Sequence, residues 1–231
     1  RVSIMRHGEM VAHRITDETS REELAELMVG TKVAIPKNEE KGAKEEILLS
    51  LHNVHLHDAD DVARLKDINL GIHAGEIVGI AGVAGNGQSE VLEAIAGMRH
   101  ISKGEIRLKG DVLMSAEMPS NPLKVRHSGV GHGPEDCQTI GLVRTMRADE
   151  NMILGFHRDA VFKKNALLNL KAVHQATQGY FEHYDVRPRI VEQLAGDFSG
   201  GNQQKMAMAR EVENDPDVLL VGQPTGGVDF G

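Results

Sequence analysis

The stretch GEIVGIAGVAGNGQSE at residues 75–90 decides the fold of this 231-residue chain. Its first part, residues 75–82, is an apolar run bounded by glycines, which is typical of a buried strand. Its second part, residues 82–89, has the spacing of the phosphate-binding motif G-x-x-x-x-G-K-[ST], and apolar residues at helical spacing follow it. A strand, a glycine loop and a helix in this order predict an α/β domain with a mainly parallel sheet.

The glycine loop has the chemistry needed to hold a nucleotide. Glycines let the backbone turn its N–H groups inward, and the N-terminus of the next helix adds positive potential. Ser89 stands where a hydroxyl binds Mg²⁺, but Gln88 replaces the lysine of the motif and supplies hydrogen bonds without charge. The alternative is a glycine turn that only packs a helix on a sheet. The candidate nucleotide-binding residues are Gly82, Val83, Ala84, Gly85, Asn86, Gly87, Gln88, Ser89 and Glu90.

The composition narrows the class of protein. The formal net charge of −8 argues against a protein that binds the phosphate backbone of nucleic acid, which normally carries a basic surface. The single cysteine, Cys137, makes a disulfide framework within the chain impossible and suits a reducing compartment. The longest apolar runs, such as Val218–Val221, are too short to cross a bilayer, so any role at a membrane would be peripheral.

The chain divides by pattern into three parts. Residues 1–30 contain a hairpin pattern and a helix pattern, which begins with the capping pair Ser20 and Glu23 and stops at Gly30. Residues 31–46 are polar and charged without apolar periodicity, which predicts a linker. Because the first residue already lies in a strand pattern, we expect the chain to be a fragment of a longer protein.

A second domain is predicted to begin at residue 47. Its strand patterns lie at residues 47–57, 65–72, 104–110 and 217–221, and its helical patterns lie at residues 138–197 and 199–214. Three histidines on the first of these strands, His52, His55 and His57, suggest a metal site, but no cysteine or carboxylate set completes it. Surface histidines are the simpler interpretation.

The string FSGGNQQK at residues 198–205 narrows the family. Ser199 can cap the helix that follows, and the two glycines allow a phosphate to approach the backbone. The string resembles the signature motif of ATP-binding cassette (ABC) proteins, in the form used by bacterial sugar and nucleoside importers. In that family the motif clamps the γ-phosphate of ATP bound by the opposite domain. The candidate signature residues are Ser199, Gly200, Gly201, Asn202 and Gln203.

The string VLLVGQPTGGVD at residues 218–229 resembles a Walker B strand followed by a D-loop, with Val228 and Asp229 in the D-loop. An active ABC ATPase has Asp and Glu where this chain has Gly222 and Gln223. The Asp supports Mg²⁺ and the Glu polarises the attacking water, and neither replacement can act as a base. The resemblance therefore leaves no intact catalytic residue in this domain, as in the second domain of tandem sugar and nucleoside importers. Gly226 departs from the Arg usual in that group.

Weaker similarities extend the resemblance over nearly the whole chain. Residues 1–30 look like the end of the first ATP-binding domain of such tandem proteins. The run GPED at residues 133–136 resembles a segment near the Q-loop, although Cys137 follows where Arg is usual, and Glu150–Asn151 matches the pair that begins the helical subdomain. The resemblance implies a P-loop NTPase fold with a mainly parallel sheet, an antiparallel β subdomain and a helical subdomain at about residues 138–197. The second domain would occupy residues 47–231.

The resemblance implies a mechanism in which ATP binds at two head-to-tail interfaces. The site at Gly82–Ser89, with Mg²⁺ on Ser89, would bind nucleotide weakly, whereas the signature would complete a competent site of the first domain of the same polypeptide. The whole subunit would be an ABC-type ATPase on the cytoplasmic face of the plasma membrane. Its partners would be transmembrane permease subunits and, indirectly, a solute-binding protein, without nucleic acid.

Two other functions remain open at this point. One is a non-catalytic nucleotide-binding or interaction module, which the replacements at residues 88, 222 and 223 favour for the domain itself. The other is a soluble ABC ATPase of translation or DNA repair, against which the acidic charge and the SGGNQQK string weigh.

Overall fold

The computed structural model of the protein describes residues 1–6, 8–30, 42–165 and 167–223, which fall into two compact units. The first unit contains the hairpin β1 (Val2–Arg6) and β2 (Glu9–Arg14), then helix α1 (Arg21–Val29). The predicted hairpin, helix start and helix stop are confirmed. Ser20 Oγ accepts the N–H of Glu23 at 3.1 Å, and Gly30 ends the helix with a φ of 90°. The Glu23 carboxylate, however, binds Arg14 and Thr19.

The second unit combines an antiparallel sheet, a parallel strand pair and a set of helices. Its strands are β3 (Ile47–His57), β4 (Ala63–His73), β5 (Lys103–Leu108), β6 (Asp111–Ser115), β7 (Val130–Gly133), β8 (Lys163–Lys164), β9 (Leu167–Leu168) and β10 (Val218–Val221). Its helices are α2 (Gln88–Ile95), α3 (Pro122–His127), α4 (Ala148–Met152), α5 (Leu170–His183) and α6 (Gly200–Val212). Among the described residues, no helix is long and apolar enough to cross a membrane.

The antiparallel sheet has the strand order β4–β3–β5–β6 and covers the main core. Along β3 the buried side chains fall into two alternating pairs, Leu49 with Leu51 and Val54 with Leu56. The two pairs are out of phase by one residue, because the pairing register shifts there and Asn53 has a φ of 49°. This bulge keeps both pairs on the core face, where they pack with α2.

Strands β7 and β10 form the parallel part of the described structure. They are paired from Val218 opposite Val130 to Val221 opposite Gly133. Val130, Val218 and Leu220 join the same core cluster as the antiparallel sheet and α2. Because the strands are parallel and in register, residues that follow β7 and residues that follow β10 emerge side by side at one edge.

The predicted buried strand at residues 75–82 was wrong. After His73 the chain turns at Ala74 and Gly75 and continues as irregular backbone to the glycine loop. Ile77 is 87% exposed and Ile80 is 47% exposed. A strand needs a neighbour that accepts and donates its backbone hydrogen bonds, and none of the described strands pairs with this run. Its apolar pattern alone therefore does not make it a strand.

Residues 138–197, expected to be mostly helical, contain most of a π-helical turn (Cys137–Gly141), then α4, α5 and two short 3-10 turns. They also contain the small hairpin β8–β9, which the sequence patterns did not indicate. A second core cluster joins this region to α6, with Phe181 and Phe198 in edge-to-face contact at 5.8 Å between ring centroids. Helix α6 therefore packs in this helical cluster, and it also contacts β7.

Candidate nucleotide-binding site

The glycine loop leads from β4 into α2 and is open to solvent over residues 81–86. Gly85 and Gly87 have φ angles of 86° and 106°, a region that favours glycine. A Cβ on Gly87 would also lie 3.2 Å from the carbonyl oxygen of Arg64 and from Leu65 Cδ2. Both the backbone angle and the close approach to β4 thus require glycine at position 87.

Helix α2 presents unpaired N–H groups to this loop. Its N-cap is Gly87, which has no side chain to accept them. Val91, Ala94 and Ile95 anchor the helix in the main core. Ser89 and Glu90 lie half-buried in the first turn. Such a helix start attracts anions, because its N–H groups and its dipole both favour negative charge. The loop can therefore bind phosphate through its backbone.

The Gln88 side chain lies across the loop. Its Nε2 donates a hydrogen bond to the carbonyl oxygen of Val83 at 3.1 Å. A Cβ on Gly82 would overlap this amide, which shows how closely the side chain covers the start of the loop. Gln88 thus uses a donor within the loop, and it brings no positive charge.

The end of β10 lies against the segment that follows β7. The N–H of Gly222 donates to the carbonyl oxygen of Gly133 at 2.9 Å. A Cβ on Gly222 would overlap Glu135 Cγ and lie 2.9 Å from Glu135 N. The sequence indicated only that a carboxylate is lost at position 222. The structure adds that Glu135 fills the space a side chain would need.

Gln223 is exposed and has a φ of 45°. The D-loop residues Val228 and Asp229 lie outside the described residues. A Mg²⁺ ion in a nucleotide site prefers one or two carboxylates besides the phosphates. Of the predicted donors only the hydroxyl of Ser89 remains, since Gly222 offers none. These residues fit a metal held mainly by its nucleotide, and they do not form a dedicated metal site.

The signature string forms the start of α6, and Ser199 and Gly200 are exposed there. Ser199 occupies the N-cap position, but its hydroxyl accepts from Asn202 Nδ2 at 2.8 Å and caps no backbone N–H. Asn202 Oδ1 accepts the N–H of Arg187 at 2.8 Å. Gly201 and Asn202 are partly exposed. The exposed start of α6 thus keeps free N–H groups, as α2 does.

Gln203 has a structural role. Its side chain is buried, and Nε2 donates to the carbonyl oxygen of Phe198 at 2.6 Å. Of the five candidate signature residues, it is the least able to meet a ligand.

The other residues considered from the sequence form no site. His52 and His57 pair with Ser50 and Ser102 on the antiparallel sheet. In the part of the chain that the structure describes, no group of three or more His, Cys, Asp or Glu side chains is placed to hold a metal ion. Cys137 is buried, and burial raises the pKa of its thiol, which disfavours a nucleophilic role.

A buried ionic cluster around Glu211 was not recognised from the sequence. It joins Glu211 and Arg210 of α6 to Arg126 of α3. The available signal was a pair of adjacent charges on a helix whose other turns are rich in Ala and Met. Charged residues are rarely fully buried unless they are paired, so that signal was weak without the contacts.

Comparisons with known proteins agree on one family. A family model described as ABC transporter matches residues 65–226. A glucose import ATP-binding protein, TsgD13 of Haloferax volcanii, is 37% identical over the whole chain and 42% of its own length. A guanosine import ATP-binding protein, NupO of Bacillus subtilis, is 35% identical over the whole chain and 44% of its own length. The chain therefore spans less than half the length of these curated relatives.

Among solved structures, the chain resembles the dimeric ATP-binding cassette MJ0796 bound to ADP and Pi. The TM-score is 0.63 at 24% identity, over 79% of this chain and 77% of that one. This likeness shows the fold, and together with the family match it confirms the predicted α/β class.

Proposed function

The chain belongs to the ABC transporter family of ATP-binding proteins, and on that premise we propose that it is most of the second nucleotide-binding domain of a tandem importer subunit. Residues 1–30 would end the first domain, residues 31–46 would link the two, and residues 47–231 would belong to the second, with its helical subdomain at about 138–197. The proposal rests on a difference between the signature string and the Walker B position of this domain. The start of α6 is exposed at Ser199 and Gly200, whereas a side chain at Gly222 would overlap Glu135.

The domain's own site would bind ATP weakly and hydrolyse it poorly. The loop at Gly82–Ser89 offers backbone N–H groups, but Gln88 supplies no charge and already bonds to Val83. Neither Gly222 nor Gln223 can take a proton from water. Binding without turnover is what these groups support.

The signature would act on the nucleotide of the other domain. Ser199 and Gly200 face solvent, and the free N–H groups at the start of α6 can stabilise the charge that develops on a transferred phosphoryl group. The lysine and the general base of that site would come from the first domain, most of which lies outside this chain. The subunit would thus have one competent and one degenerate site.

The whole subunit would couple ATP hydrolysis to import of a simple sugar or a nucleoside. The two relatives are import ATP-binding proteins for glucose and for guanosine, which supports these two classes of solute. The partners would be the first ABC domain, transmembrane permease subunits and, through them, a solute-binding protein. Mg²⁺ would accompany ATP, and the subunit would sit at the cytoplasmic face of the membrane.

The first test compares ATP turnover by the 231-residue chain with turnover by the full-length subunit. We expect the chain to hydrolyse ATP at background level, because Gly222 and Gln223 replace the Walker B carboxylates, and the full-length subunit to be active. A phosphate-release assay on both proteins measures this. Turnover well above background in the pure chain would refute the degenerate site. Inactivity of the full-length subunit with its permease would favour a non-catalytic nucleotide-binding module.

A second test restores the lysine of the loop. Gln88→Lys should tighten ATP binding at least about tenfold, because a charge-assisted contact to phosphate contributes on the order of 1.5–3 kcal/mol. Titration of the chain with a fluorescent ATP analogue gives the dissociation constant, and Gln178→Lys, at an exposed position of α5, is the control for added charge. Hydrolysis should stay at background. If Gln88→Lys leaves the affinity unchanged, the side chain at position 88 does not face phosphate.

A further inference from the structure

Glu211 lies at the centre of a buried ionic cluster near the end of α6. Its side chain is 0% exposed, and that of Arg210 is 5% exposed. Oε1 accepts from Arg126 Nη1 and from Arg210 Nε, both at 2.9 Å. Oε2 accepts from Arg126 Nη1 at 2.8 Å and from the N–H of His132 at 3.1 Å. Four hydrogen bonds thus saturate this one carboxylate.

The cluster contains more positive than negative charge. Two guanidinium groups share one carboxylate, and Arg126 also lies over the ring of Phe156 at 5.0 Å. Burial lowers the pKa of His132, so its imidazole is neutral at pH 7 and adds no third charge. Removing the Glu211 charge would leave two guanidinium groups without a counter-charge in a poorly solvated place. Such a loss is strongly destabilising.

Four hydrogen bonds of the cluster join α6 to three other elements: two from Arg126, one from the N–H of His132 and one from Arg210 to Asn151, whereas the bond between Arg210 and Glu211 lies within α6. Arg126 belongs to α3 and the N–H of His132 belongs to β7. Arg210 Nη1 donates to the carbonyl oxygen of Asn151 in α4 at 3.3 Å. Asn151 is itself fully buried and bonds to the backbone of Val143 in both directions. The cluster therefore joins α6 to the sheet core on one side and to the helical cluster on the other.

Helix α6 carries this constraint to the signature string. It runs over 13 residues from Gly200 to Val212, so its ends are about 18 Å apart. Apolar packing alone is non-directional and tolerates small rotations of a helix about its axis. Four directional bonds near one end fix the rotation of α6 about its axis. Because the helix is rigid, they also fix the orientation of the signature residues at its other end.

We propose that Glu211 is a positioning residue that fixes α6 so that Ser199 and Gly200 meet the nucleotide of the opposite site. This inference rests on the proposed function of the signature. Glu211 lies outside the loop, the signature and the Walker B strings, and it would act only through α6. The competing explanation is that the cluster stabilises the domain without affecting the geometry of the signature.

The experiment uses the full-length subunit assembled with its permease and compares three variants. Glu211→Gln removes the charge and keeps the shape. The variant R126M/R210M/E211L replaces the whole cluster with apolar side chains of similar size, which often restores stability. Glu105→Gln is the control, because Glu105 pairs with Arg107 at 2.7 Å on the partly exposed sheet. Tm, kcat and KM for ATP are measured for each.

We expect Glu211→Gln to lower Tm by about 10 °C. It should also lower kcat at least tenfold, measured well below Tm, with KM for ATP changed less than twofold. The apolar variant should recover most of the Tm while kcat stays low, because the directional bonds to α3, β7 and α4 are gone. Glu105→Gln should change neither Tm nor kcat. If Glu211→Gln does not fold, Tm and kcat of the apolar variant alone test the proposal.

Recovery of both Tm and kcat in the apolar variant would overturn the proposal, as would an unchanged kcat in Glu211→Gln. Ser199→Glu in the same assembly tests the proposed function separately from the positioning role of Glu211. If that change leaves kcat intact, the signature does not act on ATP and the proposed function itself fails. If it abolishes turnover while Glu211→Gln does not, only the positioning role of Glu211 is wrong.

Discussion

A full-length subunit with Ser199→Glu should hydrolyse ATP about 100-fold more slowly than the wild type, which is the scale of losing one preorganised donor at a charged transition state. Ser199 is exposed at the start of α6, where free N–H groups would face the γ-phosphate of the opposite site. A carboxylate there brings like charge against phosphate and competes for the same N–H groups. The fold should tolerate the change, since acidic residues are favourable at a helix start.

The measurement is phosphate release by the subunit with its permease, at saturating ATP. Ser102→Glu is the matched control, because it adds the same charge at an exposed serine of the second unit, away from α6. Tm of both variants should stay close to that of the wild type. Turnover by Ser199→Glu within twofold of the wild type would show that the signature does not contribute to the hydrolysing site.

The second large effect is expected from restoring the Walker B carboxylate. Gly222→Asp should destabilise the chain by about 3 kcal/mol, and it should not create ATPase activity. A Cβ at this position would overlap Glu135 Cγ and lie 2.9 Å from Glu135 N, so the backbone after β7 would have to move. Overpacking of a close contact typically costs about 1–3 kcal/mol, and a buried carboxylate beside Glu135 adds like-charge repulsion.

Denaturant unfolding of the 231-residue chain measures this change, with Gln223→Glu as the control. Gln223 is the next residue and is exposed, so its replacement should shift the free energy of unfolding by no more than about 0.5 kcal/mol. A Gly222→Asp chain as stable as the wild type would mean that the segment at Glu135 can move at little cost in free energy. Hydrolysis gained by Gly222→Asp alone would contradict the assignment of the lost base to position 223.

Local patterns predicted the elements that depend on neighbours in sequence. The helix from Arg21 to Val29 starts and stops where Ser20 and Gly30 indicated, because capping bonds and a left-handed glycine act within one turn. The presence of α6 and of the hairpin β1–β2 was also predicted from local patterns, although Ser199 caps no backbone N–H of α6. The string SGGNQQK and the spacing of the glycine loop identified the family, which the comparisons then confirmed.

Contacts between residues far apart in the sequence determined the features that local patterns did not predict. The run at residues 75–82 has the composition of a strand, yet it pairs with no described strand and exposes Ile77, because backbone pairing needs a partner that a local pattern does not specify. The space at Gly222 is filled by Glu135, far away in sequence. Glu211 meets Arg126 across a separation of 85 residues. The sequence by itself determined the family, the ends of the helix Arg21–Val29 and the position of the glycine loop. Only the tertiary structure decided which positions have room for a side chain, which have partners and which are buried, since these depend on packing between segments far apart in the chain.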